Sequence, residues 1–165
     1  MTIKAPAASV DWVTPKDLVM SLGLFDLDPA STCRQTHESE PWIHAQRQFC
    51  KCGDGLSQEW TGRVWLNPPY ERPLTEQFVR KLADHGNGIC LVMARTDSGW
   101  LQDLVFGRAT AILFLRRRPH FYTPEGLRMK DRATTASILV AYGKENAEAL
   151  ADSRLEGKIL RGKSV

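Results

Sequence analysis

The chain has 165 residues, of which 42% are hydrophobic and 25% charged, with a net charge of +3. That size fits one domain with one ordinary core, expected over residues 1–165 with frayed ends at 1–10 and 155–165 and no separate target-recognition domain. No apolar run approaches the length of about 18 residues that spans a bilayer, and Met1 to Val10 lacks an apolar signal core, so a soluble, cytoplasmic protein without membrane contact is expected.

Thr14-Pro15-Lys16-Asp17 reads as a helix start, with a capping hydroxyl, proline at the first helical position and an acid in the first turn. Leu18, Val19 and Leu22 give it an apolar face, and Gly23 ends it. Leu24 to Asp28 then reads as the first strand of an α/β sheet, running into Pro29-Ala30-Ser31-Thr32. Ligands of doubly wound sheets lie beyond the carboxyl ends of the strands, which is where Asp28 falls.

Residues 33 to 53 are polar and irregular, suited to a mobile segment or a short strand. Cys33, Cys50 and Cys52, with His37 or His44, suggest a zinc site, but Cys-x-Cys lacks the two-residue gap typical of structural zinc. Reduced structural thiols are the preferred expectation, and no metal is implied. Asp54-Gly55-Leu56 and Trp60-Thr61-Gly62 form a turn into the apolar strand Arg63 to Leu66.

That strand delivers Asn67-Pro68-Pro69-Tyr70. Two prolines remove two backbone donors, so the turn offers the Asn67 amide oxygen and the Pro68 carbonyl as acceptors. A planar amino group can donate to both while the Tyr70 ring covers its π-face.

Leu74, Phe78, Val79 and Leu82 follow at helical spacing, and Gly88 to Ala94 is a near-continuous apolar run typical of a strand buried on both faces. Arg95 leaves it at the same sheet edge as Asn67, as a site residue or a salt-bridge partner. Asp97 or Ser98 caps a helix whose buried stripe is Trp100, Leu101, Leu104 and Val105. Ala109 to Leu115 is a further strand, leading into Arg116-Arg117-Arg118. Residues 119–135 form a turn-rich loop to the last strand, Ala136 to Tyr142, and Glu145 to Arg154 suits a terminal helix.

The charge is uneven: Arg108 to Arg132 carries seven Lys/Arg against two Asp/Glu, so the rest of the chain is slightly acidic. Strand alternation places Arg116 and Arg118 on one face and Arg117 on the other, with at least one toward helices or pocket. Phe121 is either a base contact or a core aromatic. The alternation of strands and helices with a final hairpin indicates a single three-layer α/β domain, with a mostly parallel sheet and a terminal antiparallel hairpin.

Taken in order, Trp12-Val13-Thr14-Pro15, Phe25 to Ala30, Asp54-Gly55-Leu56 with Trp60, and Val64 to Tyr70 resemble the phage-type DNA N6-adenine methyltransferase (Dam) family, over roughly residues 11 to 142. The resemblance implies a Rossmann-like methyltransferase, S-adenosylmethionine as cofactor, DNA as partner and the cytoplasm of a bacterial host. It implies a catalytic Asn67, Pro68, Pro69 and Tyr70, and cofactor contacts from Trp12, Thr14, Pro15, Asp28, Pro29, Ala30, Asp54 and Leu56. Asp28 would meet the methionine end and Asp54 the adenine amino group, with Glu38 and Glu40 as candidates for the ribose. DNA contacts would come from Arg95, Arg116, Arg117, Arg118 and Phe121. The tetrapeptide is shared with N4-cytosine and protein-glutamine methyltransferases, and a DNA-binding relative without catalysis is the alternative outside enzymes. Asp-Pro-Ala-Ser-Thr also departs from the glycine-rich turn common among methyltransferases.

Overall fold

The central strands are buried along nearly their whole length, and successive side chains enter two different clusters, so the sheet must be covered on both faces. Val64 and Leu66 pack with Cys90, Val92, Ile138 and Val140 on one side, while Trp65 packs with Ile89, Leu91, Leu139 and Ala141 on the other. The computed structural model describes residues 12–32, 45–50, 53–123, 126–130 and 135–162. In chain order these form α1 (Lys16–Met20), β1 (Leu27–Ser31), β2 (Arg47–Cys50), β3 (Val64–Leu66), α2 (Leu74–His85) and β4 (Gly88–Met93). A π-helical segment (Leu101–Phe106), β5 (Ala111–Leu115), β6 (Ser137–Tyr142), α3 (Lys144–Asp152) and β7 (Gly157–Arg161) complete the order.

The fold is α/β, with one seven-stranded sheet in the order β2-β1-β3-β4-β6-β5-β7. Phe78, Val79 and Leu82 of α2 and Leu101, Leu104 and Val105 of the π-helical segment cover one face. Leu18, Val19 and Leu22 of the α1 region and Ala147 and Leu150 of α3 cover the other.

A mostly parallel sheet is a correction: the pairs β1–β2, β1–β3 and β3–β4 are parallel, and β4–β6, β5–β6 and β5–β7 are antiparallel, so the sheet is mixed. β1 to β5 nevertheless share one direction, because β6 runs against both β4 and β5. The expected hairpin is the β5–β6 pair, but it is not terminal.

The frayed end expected at 155–165 is also corrected where it is described, since Gly157–Arg161 pairs along the whole of β5, while residues 1–10 and 163–165 lie outside the described residues. Its side chains are mostly exposed, so it has no apolar signature, and its lysine and arginine suit an edge strand. Gly157 marks the close approach: a Cβ there would collide with the Phe114 carbonyl oxygen.

β1 begins at Leu27, later than the expected Leu24, and continues through Pro29. The register with β2 shifts between Asp28 and Ser31, the kind of irregularity at which a strand tolerates proline. The expected cap of α1 is corrected too, because Pro15 is the N-cap residue and no side chain caps the helix.

Candidate functional site

From β1 the chain moves to β2 on one side and then returns to β3 on the other, so the strand order reverses between β1 and β3. A crevice opens beyond the carboxyl ends of strands at such a reversal. There the protein has a cavity of about 350 Å³, within the range of small-molecule sites. Pro29 to Thr32 and Cys50 supply one wall, Asp54, Gly55 and Leu56 a second, and Asn67 to Glu71 with Leu74 and Phe78 a third, with Trp12 also contributing.

Asn67 follows β3 directly and is fixed at both ends of its amide. Its Nδ2 donates to the Trp12 carbonyl at 3.0 Å, which turns Oδ1 toward Tyr70. The Tyr70 hydroxyl donates to Asn67 Oδ1 at 3.0 Å and lies 3.2 Å from the Leu91 carbonyl, so one proton serves two acceptors. The sequence foresaw an acceptor with few competing N–H groups, but the competitor is this hydroxyl. Burial raises its pKa well above that of a free tyrosine. The Pro69 carbonyl accepts from the Thr75 hydroxyl at 2.6 Å, which fastens the turn to α2.

Trp12 stands over the turn, its ring 6.3 Å from that of Tyr70 and 5.2 Å from that of Phe121. Phe121 is 2% exposed and does not line the cavity, so its expected contact with a base is corrected: it is a core aromatic that props Trp12. Val13 and Tyr122 exchange backbone hydrogen bonds at 2.9 and 3.0 Å, which pins the segment in place.

Adjoining the main cavity, with Trp12, Ala30, Ser31, Thr32 and Asn67 in common, is a small pocket of about 10 Å³ that is also lined by Thr14, Asp28 and Trp65. Thr14 Oγ1 is buried with no hydrogen-bond partner among the described residues. Asp28 is 3% exposed, and desolvation pushes its carboxyl up to about 7 although the Ala30 N–H donates to it at 3.1 Å. Pro15 lines neither space; its carbonyl accepts from Leu18 and Val19 at the start of α1.

Asp54 has a left-handed backbone, φ 41°, and its carbonyl accepts from the Ser57 N–H and hydroxyl. Gly55 is pressed so close to β1 that a Cβ would overlap the Pro29 carbonyl oxygen. Trp60 Nε1 donates to the Gly55 carbonyl at 2.7 Å, closing the turn from below.

The structure thus gathers Trp12, Pro29, Ala30, Asp54, Leu56 and Asn67 to Tyr70 around one cavity, with Thr14 and Asp28 on the small pocket that adjoins it. It does not bring the arginines there. Arg95 is exposed beyond β4 at the same edge. Arg116, Arg117 and Arg118 are all exposed, which corrects the expectation that one points inward: β5 ends at Leu115, so strand alternation does not reach them. They lie three strand spacings from β3, about 14 Å along the sheet edge.

No family model, curated protein or solved structure matches the chain.

Sequence reasoning missed Ser31, Thr32, Glu71, Leu74 and Phe78 as lining residues. Glu71, Leu74 and Phe78 had a signal, since they follow the tetrapeptide within two turns of α2. Cys50 is disulfide-bonded, which corrects the reduced thiol expected there. Cys33, Cys52, His37, His44, Glu38 and Glu40 lie outside the described residues. Among the described residues no three His, Cys, Asp or Glu side chains gather as a metal site, and no helix is long and apolar enough to cross a membrane.

Proposed function

We propose that the chain is an S-adenosylmethionine-dependent methyltransferase of Rossmann-like type that methylates the N6 amino group of adenine in DNA. The observation that carries this reading is the charge pattern of the cavity. Asp54 and Glu71 line it, while no Lys, Arg or His among the described residues does. A phosphate-bearing ligand, which would otherwise suit a cavity at a strand-order reversal, would meet repulsion there. A ligand with a sulfonium, an ammonium and an adenine amino group finds acceptors instead.

The residues present fit that cofactor. The orphaned Thr14 hydroxyl and the buried Asp28 carboxyl would hold its amino-acid end, and Asp54, Leu56 and Phe78 its adenine. S-adenosylmethionine bound there supplies an electrophilic methyl group.

The chain's own residues hold the acceptor amino group. A target adenine has to leave the duplex stack, at a cost of a few kcal/mol. Asn67 Oδ1 has two lone pairs, so it accepts from the amino group beside Tyr70, or in its place as the hydroxyl keeps the Leu91 carbonyl. The Trp12 carbonyl keeps the amide from flipping, so the pocket favours an amino donor over a ring carbonyl. Tyr70 and Trp12 offer aromatic surface to the base, and the proton released on methylation passes to solvent. The rate enhancement this supports is mainly positional.

The test is incubation of the protein and labelled S-adenosylmethionine with unmethylated DNA, followed by mass spectrometry of the nucleosides. N6-methyl-2′-deoxyadenosine is the expected product. N4-methylcytosine would reassign the target, and transfer to neither base would overturn the assignment.

A further inference from the structure

Lys81 sits on α2 behind the wall that Asp54 and Leu56 present to the cavity. Its ammonium donates to the carbonyls of Leu56 and Gln58, each at 2.6 Å, and lies 5.0 Å from the centre of the Trp60 ring. The indole in turn holds the Gly55 carbonyl and stacks at 6.3 Å on Phe78 of α2. The turn's other bonds, Ser57 to the Asp54 carbonyl and Gln58 Nε2 to the Gly53 carbonyl, close it on itself without tying it to the helix.

We infer that Lys81 is a positioning residue: by fastening the carbonyls of Leu56 and Gln58 to α2, it sets the wall that carries Asp54 and Leu56 and thereby the affinity of the cavity for its ligand. The ligand half of this inference rests on the cofactor reading above. A lysine suits the task because an ammonium donates in several directions from a flexible stem, whereas an apolar side chain would leave two part-buried carbonyls unpaired. Burial lowers the Lys81 pKa, while the Asp54 charge favours the ammonium. The residue that Lys81 helps to place thus also helps to keep it charged.

The experiment compares wild type with Lys81→Met and Lys81→Arg. Hydrogen exchange reads the turn without any ligand, through the Ser57 N–H bonded to the Asp54 carbonyl. Calorimetric titration with S-adenosylmethionine and steady-state kinetics read the cavity. Lys81→Met is expected to speed exchange at Ser57 while α2 and β3 stay protected. It should weaken cofactor binding on the order of tenfold, the scale of one lost charge-assisted hydrogen bond, with the loss in KM and little in kcat. Lys81→Arg, which keeps the donors, is expected to restore most of both. Unchanged exchange and unchanged affinity in a folded Lys81→Met protein would overturn the inference. If the wild type does not bind S-adenosylmethionine, the cofactor reading fails, and faster Ser57 exchange in Lys81→Met still upholds the latch.

Discussion

Asn67 and Asp28 carry the two sharpest tests at the scale of single residues. Asn67→Ala removes the acceptor at the end of β3 but no residue proposed to hold the cofactor. Methyl transfer is expected to fall by about 100-fold or more, as for other single groups that stabilise a transition state, with cofactor affinity nearly intact. Single-turnover rates and a cofactor titration measure the two quantities separately. Asp28 makes a prediction in pH. Its folded pKa is raised to about 7 from an ordinary 3.8, so between those values the folded state holds a proton that the unfolded state has lost. Stability therefore falls as pH rises from about 4 to 7. Asp28→Asn, which cannot ionise, is expected to exceed wild type by up to about 4 kcal/mol at about pH 8 and to match it at about pH 3. Denaturant titrations across pH check this. A cationic ligand reverses the preference, so wild-type affinity for S-adenosylmethionine should rise as pH passes about 7, while the Asn variant stays flat.

At the scale of elements, the turn between β2 and β3 is the tightest joint in the site. Gly55→Ala places a methyl group against the Pro29 carbonyl, backbone that cannot swing aside. The expected cost is about 1–3 kcal/mol, seen as a lower Tm, together with weaker cofactor binding because Asp54 and Leu56 move with the turn. The sequence made β4 and β6 legible because strands buried on both faces read as unbroken apolar runs. It made α2 legible through its apolar spacing, and the structure ends that helix at Gly86, whose φ of 73° is left-handed. β7 was not legible, since an exposed edge strand needs no apolar pattern and is fixed by a distant partner. Nor was the π-helical segment, whose Leu101, Leu104 and Val105 give the same stripe that an α-helix would.

At the scale of the whole molecule, β1, β3, β4 and β5 all point their carboxyl ends at one edge, so the cavity, Arg95 and Arg116 to Arg118 share a side. If DNA lies along this edge, binding depends on salt through phosphate contacts. Replacing each of the three arginines by alanine should lower the log–log salt slope by about 0.9 per lost contact on duplex DNA. Filter binding across a salt series measures it, and a slope unchanged in all three would place DNA elsewhere. The turn from Asn67 to Tyr70 was legible because its four residues are contiguous. The rest of the site was not, because Trp12, Asp28, Asp54 and Phe78 come from four stretches of chain that only the sheet reversal brings together.

The backbone bridge between Val13 and Tyr122 has a consequence for how the protein is made. Trp12 leaves the ribosome ahead of every strand of the sheet, yet the partner that fixes it emerges only after β5. A nascent chain that has already completed β1 through β4 therefore has the walls of the cavity without its roof, and Asn67 without the carbonyl that orients its amide. Ligand cannot be captured in a finished site during most of synthesis, and competence arrives late, with the basic loop and not with the motif.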